Sequence, residues 1–280
     1  MSLFKNFGTG FSAYGKAIEL LFTKGLIWYM VFPLLLNIIF LVAGWLGIGS
    51  LTEWVENWLQ NAMKIEDDSF FGAEYLATVS TYISTIASGF VWVVMKFVFF
   101  FVFAYFGGYI VIIFMSPVFA MLSEKTEEIL TGNKYKFNGD QMMRDVVRGV
   151  LLALRNLFIE LFYMIVIFFL GLFIPLIGGI LGSTLLFFIS SYFYGFSFID
   201  YTNERRRMKL KDSVKFIRAN KGMAIANGMV FSFCLLIPFC GTTLAGFVAI
   251  ISVIAATVAT HKVVDLSTNP YAQKKEQIEG

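Results

Sequence analysis

Three stretches of this chain carry no charged side chain at all: residues 26–51, 161–199 and 223–260. A helix needs about 20 apolar residues to cross a hydrocarbon core, so the first run predicts one spanning helix, and the other two are each nearly twice that length. A fourth apolar run, Tyr82 to Met115, is broken only by Lys96, and its last 19 residues suffice to span. Lys96 then lies near an interface, where its ammonium either snorkels to headgroups or serves an ion path. Both long runs are interrupted by the same element, Ile174-Pro175-Leu176-Ile177-Gly178 and Ile237-Pro238-Phe239-Cys240-Gly241, repeated 63 residues apart. Proline stops a helix and glycine permits a tight reversal, so each run reads as a helical hairpin and the chain holds an internal repeat. The legs before the prolines span 14 and 15 residues, roughly 21–23 Å at 1.5 Å per residue. A hydrocarbon core is about 30 Å thick. The reading therefore favours hairpins that penetrate the bilayer partway.

Residues 3–24 place Phe4, Phe7, Phe11, Tyr14, Ile18 and Leu21 at helical spacing on one face. That fits a helix lying in the interface, or one packed on the rest of the protein. Ser116-Pro117 predicts a helix start, with serine as cap and proline at the first position; Gly132 predicts its stop. Glu124, Glu127 and Glu128 are expected in solvent. A further amphipathic helix follows Asp140, with Arg144, Arg148 and Arg155 as a basic rim. The expected organisation is a single membrane domain: interfacial helix 1–25, spanning helix 26–51, acidic loop 52–81, second spanning helix 82–115, amphipathic helices 116–157, hairpin 158–199, basic loop 200–222, hairpin 223–261 and polar tail 262–280.

Composition strengthens this picture. The chain is 58% hydrophobic and 15% charged, with mean hydropathy +0.74 and 33 phenylalanines. A soluble domain normally carries about 25% charged residues, so lipid must be the solvent for much of this surface. A net charge of +3 is too small to argue for nucleic acid. Its distribution matters more. Eight cations between Arg205 and Lys221 outnumber Asp200, Glu204 and Asp212, whereas residues 52–81 set Glu53, Glu56, Glu66, Asp67, Asp68 and Glu74 against Lys64 alone. The positive-inside rule puts 200–222 and both termini in the cytoplasm and the acidic loop outside. The first 24 residues lack a compact apolar run with a small-residue cleavage site, so insertion is expected to use the first spanning helix.

Enzyme chemistry is not visible. One histidine, His261, and two cysteines six apart, Cys234 and Cys240, form no metal or haem pattern and read as packing or interfacial residues. No catalytic set or phosphate-cradling loop is present, and neither a cofactor nor a metal is expected.

Several segments resemble one known family, the CysZ sulfate-uptake proteins, whose wider membership includes the etoposide-induced membrane proteins. They are Gly25-Leu26 followed by Phe32-Pro33-Leu34-Leu35-Leu36-Asn37, Ser116-Pro117 through Leu122-Ser123-Glu124 to Ile129-Leu130-Thr131-Gly132, and Asp200-Tyr201 with the basic segment and Ile-Pro hairpin after it. The resemblance runs in order along nearly the whole chain. It implies an all-α bacterial inner-membrane protein with two transmembrane helices and two half-penetrating hairpins, assembled as a homo-oligomer and passing sulfate towards cysteine synthesis. The family's anion-contacting Gly-Leu-Arg-Arg stretch aligns with Gly25-Leu26-Ile27-Trp28, so both arginines are absent and Lys24 is the neighbouring cation.

Two functions from different classes follow. One is a channel or permease for a small inorganic anion, with Lys24, Gly25 and Leu26 at one candidate site. A second candidate site lies at the helix starts Gly178, Gly179, Gly241, Thr242 and Thr243, whose free N–H groups favour anions. The other is a non-transporting scaffold or bilayer-shaping protein, in which Arg205, Arg206 and Arg207 hold anionic lipid.

Overall fold

The computed structural model describes residues 3–62, 73–135, 138–173, 175–237 and 240–271. Its regular elements are helices: α1 (Leu3–Thr23), a 3-10 turn (Leu26–Met30), α2 (Val31–Ala62), α3 (Ala73–Thr131), α4 (Gly139–Phe173), α5 (Pro175–Arg205), α6 (Leu210–Ala219), α7 (Lys221–Leu235), α8 (Gly241–Val263) and a second 3-10 turn (Leu266–Thr268). Among the described residues, five stretches are long and apolar enough to cross a membrane: Leu26–Ala43, Gly107–Thr131, Gly139–Gly171, Ile180–Arg205 and Thr243–Val263. At 15 residues, α7 is shorter.

The chain forms two compact units, one of Leu35–Phe106 and one of Met1–Leu34 with Gly107–Gly280. The first contains most of α2 and the beginning of α3. Everything that follows concerns the second.

Both expected hairpins are present there. Asn156 on α4 meets Phe193 and Ser197 on α5, Glu160 meets Ser190, and a Cβ at Gly182 would meet Ile167. As one number rises the other falls, which is the register of an antiparallel pair. Asn227 to Ser252 and Cys234 to Gly241 show the same for α7 and α8. Proline opens α5, where its fixed φ suits a first helical turn. Ile174, Pro238 and Phe239 lie outside the described residues.

The two hairpins join where α5 crosses α7, and glycine decides that crossing. A Cβ built at Gly195 would fall on the Ala224 carbonyl oxygen, and one at Gly228 on the Ser191 carbonyl oxygen. Without side chains at these positions the backbones touch, a common way of packing helices in lipid. Tyr194 and Phe231 stack edge-on beside the crossing, and Ser191 donates to Ser232 at 3.0 Å.

The polar groups of this unit face inward. Ser123, Thr202 and Thr257 meet in one buried cluster, and Asn156 and Ser197 in another. Large apolar side chains such as Phe158, Phe162, Phe168 and Phe169 on α4 face outward. Water would disfavour that distribution, whereas hydrocarbon favours it, since buried polar groups then find partners in the protein.

Several expectations change. On α1 the inward face is Asn6, Gly10, Ala13, Tyr14, Ala17, Leu20 and Leu21, while Phe4, Phe11 and Ile18 point away. The six aromatic and aliphatic residues expected on one face are thus divided, because small residues let α1 approach α7: a Cβ at Gly10 would come within 2.7 Å of the Met223 carbonyl. Of the two positions open for this helix, the structure supplies packing against the protein. No new helix begins at Ser116-Pro117; α3 continues through Pro117. Proline costs the helix one hydrogen bond there, but Ser116 accepts from Tyr201 at 3.1 Å and Phe119 packs edge-on against Phe198 and Tyr201. Residues 52–62 and 73–81 are helical rather than loop, and 63–72 lie outside the described residues, as does the 272–280 tail. The amphipathic segment after Asp140 and the first hairpin leg are one 35-residue helix, α4, roughly 52 Å long.

Candidate functional site

α3 and α5 end, and α4 begins, around one cavity of about 750 Å³. Its wall includes Glu124, Lys125 and Glu128 from α3, Tyr135 and Asn138 from the connection, Gln141, Arg144 and Asp145 from α4, and Tyr201, Glu204, Arg205 and Arg207 from the end of α5. Tyr29 and Tyr271 complete it.

Arg205 is the central group. Its side chain is only 7% exposed, and its Nε donates to Glu127 Oε2 at 2.9 Å. Both terminal nitrogens, Nη1 and Nη2, are buried and have no hydrogen-bond partner among the described residues. An unpaired buried donor is costly, and a charged one more so. A guanidinium normally relieves this by holding a carboxylate with two parallel bonds. Here the second oxygen of Glu127, Oε1, accepts from the Tyr135 hydroxyl. Burial, and then the nearby Glu127 carboxylate, push the Tyr135 phenol well above its usual range, so it stays protonated and donates. Asn269 donates to the Tyr135 oxygen at 2.9 Å and reaches the Arg205 carbonyl at 3.4 Å. One side of the guanidinium is therefore pinned and its fork is left open.

The surroundings balance attraction against repulsion. α4 starts at the cavity wall, so the positive end of its dipole favours an anion there. Arg207, held with φ 50°, stacks over Tyr271 at 4.4 Å from the ring centre. Glu124, Asp145 and Glu204 oppose anion binding, and Lys125 is engaged by Glu128 at 2.8 Å. An anion is drawn in by Arg205 without being held tightly, which conduction requires.

A few ångströms along α5, a second arginine is closed. Arg148 Nε and Nη2 hold the two oxygens of Asp200 at 3.0 and 2.9 Å, and Nη1 donates to the Met208 carbonyl at 2.6 Å. Ser213 donates to the same carboxylate. The sequence suggests a basic rim for Arg148, but the residue instead ties α4 to α5. Glu127, expected in solvent, is fully buried, because α3 continues far enough to meet Arg205.

The other sequence-derived sites are placed as follows. Gly25 adopts φ 72°, a left-handed corner that only glycine takes readily, and Leu26 is buried beside it. Lys24 is exposed, and Tyr29, from the 3-10 turn that follows, reaches the cavity wall. The Gly241 amide donates to the Ile237 carbonyl at 2.8 Å, and a Cβ at Gly241 would lie 2.7 Å from the Cys234 and Leu235 carbonyls. Gly241 therefore closes the turn. Gly178 and Gly179 lie in the first turns of α5, and Thr242 and Thr243 in that of α8. The structure does not bring these tips to the Arg205 cavity. Of the three arginines expected at headgroups, Arg205 is turned inward. Arg206 is half-buried over the Phe216 ring, where burial lowers its pKa, and Arg207 is exposed at the cavity rim. Glu127, Tyr135 and Asn269 carry no motif that singles them out.

Comparison with known proteins gives the same direction. The chain is 28% identical to the sulfate transporter CysZ of Vibrio parahaemolyticus over 82% of its own length and 86% of the relative's. With the sulfate transporter CysZ of Vibrio cholerae the figures are 26%, 85% and 88%; with that of Vibrio atlanticus they are 24%, 82% and 84%. These relatives are transporters, and the chain is a bacterial membrane protein and not an enzyme. Residues 13–245 match the model of one family, Sulfate transporter CysZ/Etoposide-induced protein 2.4, and the chain belongs to it.

Proposed function

We propose that this protein lets sulfate, or an oxyanion of sulfate's size and charge, cross the bacterial inner membrane. The observation that carries this reading is the buried Arg205 fork, open to a cavity at the end of the helices that bears the basic segment. Family membership supplies sulfate as the first anion to test. The excess of cations in 205–221 supports placing this end, and both termini, in the cytoplasm. The cavity is then the inner mouth of the path. Lys24, on the corner before Tyr29, is the charged residue closest in sequence to the cavity wall on that side. Passage is passive in this reading, in a homo-oligomer, and Arg206 and Arg207 are available to headgroups at the rim.

Radiolabelled sulfate uptake into proteoliposomes tests the reading. Wild-type protein should exceed protein-free vesicles several-fold. Arg205→Lys keeps the charge beside Glu127 and loses the planar fork; it should raise the half-saturating sulfate concentration about tenfold, equivalent to about 1.4 kcal/mol. If sulfate, sulfite and similar oxyanions all move no faster than through protein-free vesicles, the reading fails and a scaffold is left.

The depth of the second hairpin has its own test. α7 is roughly 22 Å long, short of a bilayer core of about 30 Å, which supports a tip inside the membrane. Cys240 is exposed at that tip and Cys234 is buried. An impermeant maleimide should label Cys240 from neither face of oriented vesicles, and a lipid-permeable one should label it. Labelling by the impermeant reagent would mean a full crossing.

A further inference from the structure

We propose that Tyr135 is a positioning residue for anion recognition: by occupying one oxygen of Glu127 it prevents a closed Arg205–Glu127 pair and keeps the arginine fork available to an oxyanion. This rests on the transport reading above and goes beyond it, because it assigns the control of affinity to a residue with no formal charge.

The argument is one of counting donors and acceptors. Glu127 has two oxygens and is fully buried, so both need partners. Oε2 takes the Arg205 Nε at 2.9 Å. Oε1 takes the Tyr135 hydroxyl. The Tyr135 oxygen is in turn fixed by Asn269 Nδ2 at 2.9 Å, and the neighbouring Asn133 ties the same connection to the Leu266 carbonyl at 2.9 Å. The Leu266–Tyr271 segment thus holds the 132–135 connection against the end of α5. With Oε1 engaged, Glu127 can grip only one edge of the guanidinium, and Nη1 and Nη2 remain without acceptors among the described residues. Arg148 shows what happens otherwise: Asp200 presents both oxygens to Nε and Nη2, and no fork is left. Two parallel N–H···O bonds are what a sulfate oxygen pair also accepts. Glu127 and the anion therefore compete for the same donors, and Tyr135 biases the competition towards the anion.

Removing the hydroxyl should release Oε1 onto Nη2. Tyr135→Phe keeps the ring and its packing in the cavity wall. In sulfate uptake by proteoliposomes it should raise the half-saturating concentration about fivefold, and shift it more than the maximal rate. The same loss should appear without flux, as a smaller sulfate-induced rise in melting temperature of the detergent-solubilised protein. The decisive control is the background Glu127→Gln. The amide that replaces the carboxylate has one oxygen for Arg205 and no second one to close on the fork, so Tyr135→Phe should have no further effect there. A purely structural role for Tyr135 would give the same effect in both backgrounds. Asn269→Ala, which frees the Tyr135 oxygen without touching Glu127, should give a shift of about twofold in the same direction. The proposal is overturned if Tyr135→Phe binds and moves sulfate with wild-type half-saturation, or if its effect persists undiminished in Glu127→Gln. If wild-type protein moves no oxyanion and shows no sulfate-dependent stabilisation, it is the transport reading that falls.

Discussion

Two arginine–carboxylate pairs join the end of α5 to its neighbours, and they serve opposite purposes. Arg148 and Asp200 share two bonds, a third goes to the Met208 carbonyl, and Glu204 stands 3.7 Å away. Arg205 and Glu127 share one bond, and two donors are left over. Charge and burial do not account for the contrast. Arg205 is the less exposed of the two, at 7% against 21%, and so has the greater need of partners. What differs is the third group. Ser213 binds an Asp200 oxygen that still reaches Arg148, whereas Tyr135 takes the Glu127 oxygen that would have completed a fork. A saturated pair locks helices together, and an unsaturated one can bind something.

The largest test of that contrast is Asp200→Ala. It leaves Arg148 half-buried with only the Met208 carbonyl and Glu204. Breaking a buried pair costs about 3–5 kcal/mol, and the partners that remain, with partial exposure, favour the lower end, about 3 kcal/mol. Thermal unfolding in detergent should show this loss, while the sulfate-induced stabilisation of the folded fraction stays at its wild-type size. If Asp200→Ala instead abolishes the sulfate response and spares stability, the two pairs have been assigned the wrong way round. Ser213→Ala is gentler. The bidentate Arg148 contact survives, but Asn203 Nδ2, 2.9 Å from the serine oxygen, loses its acceptor. About 1–2 kcal/mol should be lost, again with no change in the sulfate response. The Arg205 and Tyr135 variants should do the converse, shifting the response to sulfate far more than the unfolding temperature.

The two hairpins teach a parallel lesson about what a repeated motif specifies. Both Ile-Pro-x-x-Gly elements mark a reversal, and the antiparallel contacts on either side agree. Their settings differ. α8 is the more deeply enclosed leg, with 72% of its apolar window buried, against 22% for α4. The motif fixes a turn because proline and glycine act through local backbone geometry. It carries no information about neighbours. That is why Gly241, weighed as an anion site from its place at a helix start, proves to be packed against the carbonyls that end α7.

From the sequence alone came the solvent, the helical class, the turn positions and the charge asymmetry. Each depends on composition or on residues within a turn or two of one another: uncharged runs long enough for a bilayer, a proline with a glycine three residues on, a block of cations. The candidate site did not come that way. Arg205 was legible as one of three consecutive arginines suited to a lipid surface, and Glu127 as one of several glutamates in solvent. Their pairing joins positions 78 residues apart. The groups that decide its geometry, Tyr135 and Asn269, stand 134 apart in connecting segments with no periodicity. Helix propensity even argued for a break at Pro117, and packing against α5 overrode it. Only the tertiary structure brings three helix ends together, and whether an arginine there is closed or open depends on which donor first occupies the carboxylate beside it.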